Sequence, residues 1–126
     1  MSFISRTVLI ADDMEEIRLM LKQAMLMNGY SVIEATDGIE AVEAARERKP
    51  DLVLIDLNMP RMDGLKAIEE IRKIKGEPVP IVAMTAFDTY GMKEAAIQAG
   101  CNEYLNKPLN LTQLERLVRD YLTTSA

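Results

Sequence analysis

Asp51-Leu52-Val53-Leu54-Ile55-Asp56 is the stretch that decides the fold. Leu52 to Ile55 is aliphatic throughout and offers no polar face, which suits a central strand buried on both sides. Asp56 is the first residue to leave that strand, and a charge at such a point costs free energy unless something pairs with it. Leu57-Asn58-Met59-Pro60-Arg61-Met62-Asp63-Gly64 follows, too broken by Pro60 and Gly64 to continue as strand or helix. The chain reads as a device that presents Asp56 at the lip of a sheet and surrounds it with chosen groups.

At 126 residues the chain is read as one domain spanning 1–126. A chain of this size buries roughly two-thirds of its unfolded surface and folds without disulfides or a structural metal. No apolar run approaches the ~18 residues of a membrane span. The N-terminus, Met1 to Arg6, lacks the apolar core of a signal peptide, and one cysteine, Cys101, forms no internal disulfide. A cytoplasmic protein is the expectation, with no membrane partner. The net charge of -5 argues against direct nucleic-acid binding. There is no histidine, which removes Ser-His-Asp and Cys-His nucleophilic machinery and any phosphohistidine of the chain's own.

Outward from the central strand the pattern repeats. Thr7-Val8-Leu9-Ile10-Ala11 is a first buried strand ending in Asp12-Asp13, and Ser31 to Ala35 reads as a second. Between them lies a helix expected to bury Ile17, Met20, Leu21, Ala24 and Met27 or Asn28, closed by Gly29. Asp37-Gly38 turns the chain into a short helix marked by Ile39, Val42 and Ala45, stopped by Pro50. Gly64 begins a helix with Leu65, Ile68, Ile71 and Ile74 inward, expected to end at Gly76. Ile81 to Met84 is a fourth strand ending at Thr85. A helix follows with Met92, Ala95, Ala96 and Ala99 on one face. Glu103-Tyr104-Leu105 is a brief fifth strand before Lys107-Pro108. Asn110 N-caps the last helix, which buries Leu114, Leu117, Val118, Tyr121 and Leu122.

Five alternating strand–helix units imply parallel strands joined by right-handed crossovers, with helices on both faces. That is too few for an eight-stranded barrel, so the expected fold is α/β, an open doubly wound five-stranded parallel sheet of flavodoxin-like order 2-1-3-4-5.

In such sheets the binding crevice lies outside the carboxyl ends of the strands. Those ends deliver Asp12 and Asp13, Asp56, Thr85 and Lys107 to one rim. Adjacent carboxylates repel, more so when desolvated, and a hard divalent cation relieves the repulsion. Magnesium needs only a few protein oxygens. Asp12, Asp13, Asp56 and a loop carbonyl, that of Asn58, would suffice. Lys107 adds positive charge from the opposite side. A phosphoryl group on Asp56 would then meet the metal, the Lys107 ammonium and the Thr85 hydroxyl on separate oxygens. Asp56 would be the covalent nucleophile.

At these separations Asp12-Asp13, Asp56, the loop Met59 to Gly64, Thr85-Ala86 and Lys107-Pro108 form a specific set. The chain resembles the receiver domain of two-component response regulators, in its stand-alone chemotaxis-regulator-like form, over essentially its whole length. The resemblance implies a signalling phosphoprotein rather than a conventional enzyme, catalysing only its own phosphorylation and slow autodephosphorylation. It implies an acyl phosphate on Asp56, donated with magnesium by a sensor histidine kinase or histidine phosphotransfer protein. It implies a cis Lys107-Pro108 bond and a switch aromatic at Tyr104. A downstream protein target would dock on the face made by the fourth helix, fifth strand and fifth helix, and the protein would be a monomer. The loop Asp88-Thr89-Tyr90-Gly91, which borders that face, departs from the family pattern.

Plainer readings exist for each residue. Asp12-Asp13 could be first-turn helix acids. Thr85 could be a structural strand-end threonine, Tyr104 a half-buried strand tyrosine and Asn58 a turn residue. Two other function classes fit less well. A haloacid-dehalogenase-like phosphatase needs a second acid where this chain has Asn58. A flavodoxin-like cofactor binder needs a phosphate loop where this chain has Asp12 to Glu16, which would repel a phosphate.

Overall fold

Strands and helices alternate strictly along the chain: β1 (Thr7–Ala11), α1 (Glu15–Met27), β2 (Ser31–Ala35), α2 (Gly38–Arg48), β3 (Leu52–Asp56), α3 (Gly64–Arg72), β4 (Ile81–Thr85), α4 (Met92–Ala99), β5 (Glu103–Asn106) and α5 (Leu111–Thr123). The computed structural model describes residues 5–123. The reading of the N-terminus rests in part on Met1 to Ile4, which lie outside those residues.

All strand pairs are parallel, in the order β2-β1-β3-β4-β5. β3 and β4 are buried at every position, as their unbroken apolar runs require. Strand alternation splits the core in two. Val8, Ile10, Leu52, Leu54, Val82 and Met84 face the α1 and α5 layer, where Leu21, Met25, Leu114 and Val118 close on them. Leu9, Ala11, Val53, Ile55, Ile81 and Ala83 face the α2, α3 and α4 layer. Each fully buried Leu or Ile contributes about 1.5–3 kcal/mol. The order β1-β3-β4 at the centre is what brings the ends of those three strands together.

Local signals set the helix ends. Asp37 and Asp63 cap α2 and α3 by accepting from the Glu40 and Lys66 amides, and Asn110 accepts from Gln113 N. Gly29 follows α1 with φ +89, the left-handed value that glycine supplies without strain. Arg72 at the end of α3 donates to the Gly100 and Val79 carbonyls and to Asn102, tying α3 to the α4–β5 turn.

Three expectations are corrected. In α1, Met20 is 39% exposed and Met27 80% exposed, while Met25 is fully buried. The true stripe is Ile17, Leu21, Ala24 and Met25. The helix is apolar around much of its circumference, so two helical registers fitted the sequence equally. α3 ends at Arg72 rather than running to Gly76, and Lys73 and Ile74 continue only as turn, their amides donating to Glu70 O and Ile71 O. β5 includes Asn106, which pairs with Thr85.

Candidate functional site

Each strand end delivers its side chain to the rim that the topology demands. Asp12 leaves β1, fully buried. Its Oδ1 accepts from Met14 N at 2.9 Å and its backbone carbonyl from Arg18 Nη1 at 3.0 Å. Asp56 ends β3 at 4% exposure and accepts from the Asn58 amide at 3.1 Å. Carboxylate oxygens of Asp12, Asp13 and Asp56 lie within 4.8 Å of one another, with Asp13 exposed and the other two buried. Lys107 extends from beyond β5 and places its Nζ 2.8 Å from Asp12 Oδ2 and 3.3 Å from Asp56 Oδ2. The Lys107-Pro108 peptide is cis.

Charge balance at this rim is incomplete. Burial pushes the Asp56 carboxyl above the ordinary range, and nearby Asp12 adds to that. The Asn58 amide and the Lys107 ammonium pull in the other direction without cancelling it. Three acids against one lysine leave surplus negative charge in a cluster of hard oxygen donors. That donor set fits magnesium, which favours carboxylate and carbonyl oxygens and retains waters on an exposed side such as that of Asp13.

Thr85 is fully buried at the end of β4. Its hydroxyl oxygen accepts from Asn58 Nδ2 at 3.0 Å and from Phe87 N at 2.9 Å. The sequence reading gave Asn58 a metal-facing carbonyl, a turn role or a water-facing role; here its side chain reaches the hydroxyl expected to act as a switch. Tyr104 lies on β5, half-buried against the α4-side core, with its hydroxyl donating to Asp88 Oδ1 at 2.8 Å. Burial, and then the Asp88 carboxylate, push that phenol up to about 12. Among the described residues, no buried side-chain nitrogen or oxygen lacks a hydrogen-bond partner.

Asp12, Asp13, Asp56, Asn58, Thr85 and Lys107 therefore share one rim, and Tyr104 stands at its β5 flank, tied outward. Sequence reasoning missed Arg18 on the Asp12 carbonyl, and the Asp37–Arg61 ion pair beside the loop after β3. Helical spacing could have suggested that Arg18 lies near the start of α1; nothing in the sequence signals the second contact.

Comparison with known proteins agrees with this fold. The family described as response regulator receiver domain matches residues 8–119. A curated relative, response regulator MprA of Mycobacterium sp. (strain KMS), is 37% identical over 115 residues, covering 91% of this chain and 50% of the relative. The chain spans about half the length of the curated relatives it matches. The receiver domain of sensor histidine kinase PA1611 from Pseudomonas aeruginosa PAO1, solved with a magnesium ion coordinated in its active-site cleft, is 34% identical. It superposes with a TM-score of 0.85 over 94% of this chain and 98% of that one. The receiver domain of Saccharomyces cerevisiae Ssk1, solved with the histidine phosphotransfer protein Ypd1, is covered by a match at 30% identity and TM-score 0.85, over 96% of this chain and 91% of that one. No described helix is long and apolar enough to cross a membrane. On the family match and these relatives, the chain belongs to the response regulator receiver domains of two-component signalling.

Proposed function

We propose that Asp56 is the phosphoacceptor of a magnesium-dependent switch, with residues 1–126 acting as one receiver unit in the cytoplasm. The observation that carries this reading is the Lys107 ammonium bridging the buried carboxylates of Asp12 and Asp56 at 2.8 and 3.3 Å. A lysine so placed serves an acid that is to receive charge, because a phosphoryl group on Asp56 adds negative charge where it already stands.

In the step proposed, an Asp56 carboxylate oxygen attacks the phosphorus of a phosphohistidine on a partner protein. The O–P bond forms, the N–P bond breaks, and its electron pair stays on the imidazole nitrogen. Lys107 favours the ionised form of Asp56 against the opposing effect of burial and balances the phosphoryl oxygens. Asp12, Asp13, Asp56 and the Asn58 carbonyl would hold magnesium, which when bound neutralises the acid cluster and the charge developing on the transferred group. The chain catalyses its own phosphorylation and slow autodephosphorylation and no other turnover. Asn58 occupies the position where a haloacid-dehalogenase-like enzyme needs its general acid, which supports that limit.

The Thr85 hydroxyl then turns toward the phosphoryl group, and the space it leaves admits Tyr104 in place of its outward bond to Asp88. This is a population shift between two states, biased by local charge. The donor, a histidine kinase or phosphotransfer protein, would meet α1, which follows exposed Met14 beside the Asp12-Asp13 rim and exposes Leu19 near its start and Leu26 and Met27 at its far end. The downstream protein would meet the α4–β5–α5 face, where Phe87, Tyr90 and Ile97 are exposed. The unphosphorylated protein is a monomer in this reading.

Titration with beryllofluoride and magnesium, followed by backbone NMR, tests the proposal. The expected result is saturable shifts at Asp12, Asp56 and Lys107, spreading to Thr85, Tyr104 and α4. Shifts confined to surface acids, or unchanged by Asp56→Asn, would remove Asp56 from its role.

A further inference from the structure

Asp37 is buried at the β2–α2 junction and is not among the rim acids. Its two oxygens do different things. Oδ1 accepts from Glu40 N at 2.8 Å and so caps α2. Oδ2 accepts from Arg61 Nε at 2.8 Å and forms an ion pair with Arg61 Nη2, also at 2.8 Å. Arg61 belongs to the loop between β3 and α3, which follows Asp56 directly. Its backbone has φ 65, a left-handed value unfavourable for any residue with a β-carbon.

The next residue, Met62, presses its carbonyl oxygen onto Gly38, where a β-carbon would collide with it. At the far end of the loop Gly64 is also closely packed: a β-carbon there would lie 2.5 Å from Asp56 O and Leu57 Cα. The loop is thus fastened to β3 by Gly64 and to the β2–α2 corner by Arg61 and Met62. Between the end of β3 and the Arg61 anchor stands Asn58, whose backbone amide reaches Asp56 and whose side chain reaches Thr85. A strained residue persists only where its surroundings over-determine it, and at Arg61 the Asp37 carboxylate supplies that constraint.

We propose that the Asp37–Arg61 ion pair is a positioning clamp for the acceptor loop, holding Asn58 where its carbonyl can face the acid cluster. The inference rests on reading Asp56 as a magnesium-assisted phosphoacceptor. The Arg61 guanidinium holds the Asp37 carboxyl below the usual carboxylate range, so the pair is fully charged at neutral pH. Asp37 and Arg61 touch neither metal nor phosphoryl group. They act through the loop, as outer partners of metal ligands commonly do.

The test is a magnesium titration by backbone NMR, with amide hydrogen exchange of residues 57–63, on Asp37→Asn, Arg61→Gln and the double variant. Asparagine caps helices as well as aspartate, so Asp37→Asn removes the ion pair and keeps α2 capped. Arg61→Gly adds a variant that relieves the left-handed strain and therefore folds. Each single change is expected to weaken magnesium binding about three- to tenfold and to speed loop exchange, the double change no more than either single one. Lys73→Gln, which breaks the exposed Lys73–Glu70 pair, is the control and leaves affinity unchanged. Wild-type affinity in Asp37→Asn and Arg61→Gly, with only stability altered, overturns the clamp. No magnesium response in the wild type at Asp12, Asp13 or Asp56 overturns the phosphoacceptor reading and the clamp together.

Discussion

The Asn58 side chain donates to the buried Thr85 hydroxyl at 3.0 Å, linking the loop after the acceptor strand to the end of the neighbouring strand. Phe87 N donates to the same oxygen at 2.9 Å. Both acceptor sites of the hydroxyl are therefore used in this state. For Thr85 to turn toward a phosphoryl group on Asp56, the bond to Asn58 must break.

Asn58→Ala removes that restraint and keeps the Asn58 main-chain carbonyl. One net hydrogen bond is worth roughly 0.5–1.5 kcal/mol, so the beryllofluoride midpoint should fall about two- to tenfold. An unchanged or higher midpoint would mean that the bond does not oppose the switch.

Asp56→Asn should stabilise the metal-free protein. Burial raises the Asp56 carboxyl above its ordinary range, so the folded state holds that proton more tightly than the unfolded chain does. Its contribution is full at low pH and is lost as pH rises through the folded value, which handicaps the metal-free fold at neutral pH. In EDTA at pH 7 the variant should gain about 1 kcal/mol, or about 3–5 °C in Tm. The gain should shrink on acidification, and magnesium should raise Tm in the wild type far more than in the variant. Calorimetry across pH reads all three.

Lys107→Ala acts in the opposite direction. It leaves Asp12 and Asp56 facing each other without the ammonium that now sits 2.8 and 3.3 Å from them. Removing one partner of a buried charge pair is expected to destabilise the metal-free protein by about 2–4 kcal/mol at neutral pH. Magnesium should restore much of the loss, and so should acid, as Asp56 takes up its proton. Chemical denaturation with and without magnesium measures this; a loss under about 0.5 kcal/mol, the ordinary size of a surface change, would show that the bridge is not what stabilises the cluster.

How much of this was legible beforehand varies with the kind of contact. β3 and β4 could be read because strands buried on both sides carry unbroken apolar runs, and Asp56, read as the first residue beyond its strand, and Thr85 prove to be the last residues of β3 and β4. Lys107 could be placed because parallel strands send all their carboxyl ends to one edge. The α1 stripe could not be read, since Met20, Met25 and Met27 are equally apolar and only packing distinguishes them. The Asn58–Thr85 bond and the Asp37–Arg61 pair were invisible for another reason. Both join residues far apart in sequence, and the second depends on a left-handed residue that no arginine announces.

Tyr104 provides a spectroscopic handle on the outward state. Its phenol and that of Tyr121 are each pushed up to about 12, Tyr104 by burial and then by Asp88, Tyr121 by its hydrogen bond to Glu103 and then by burial. A raised phenol stabilises the fold fully below its unfolded value, and that contribution is lost as pH rises through about 12. In ultraviolet titration, Asp88→Asn should lower one late-titrating phenol and leave the other in place. Tyr104→Phe should abolish the one that moved. Unaltered late phenols in both variants would mean that Tyr104 is not held by Asp88 in solution.

The most direct test of the central claim is incubation with acetyl phosphate and magnesium, followed by mass mapping of the modified residue after borohydride trapping. The account predicts a single magnesium-dependent acyl phosphate on Asp56, lost in Asp56→Asn and blocked by EDTA. Label retained by Asp56→Asn, or mapped to Asp12 or Asp13, would contradict it.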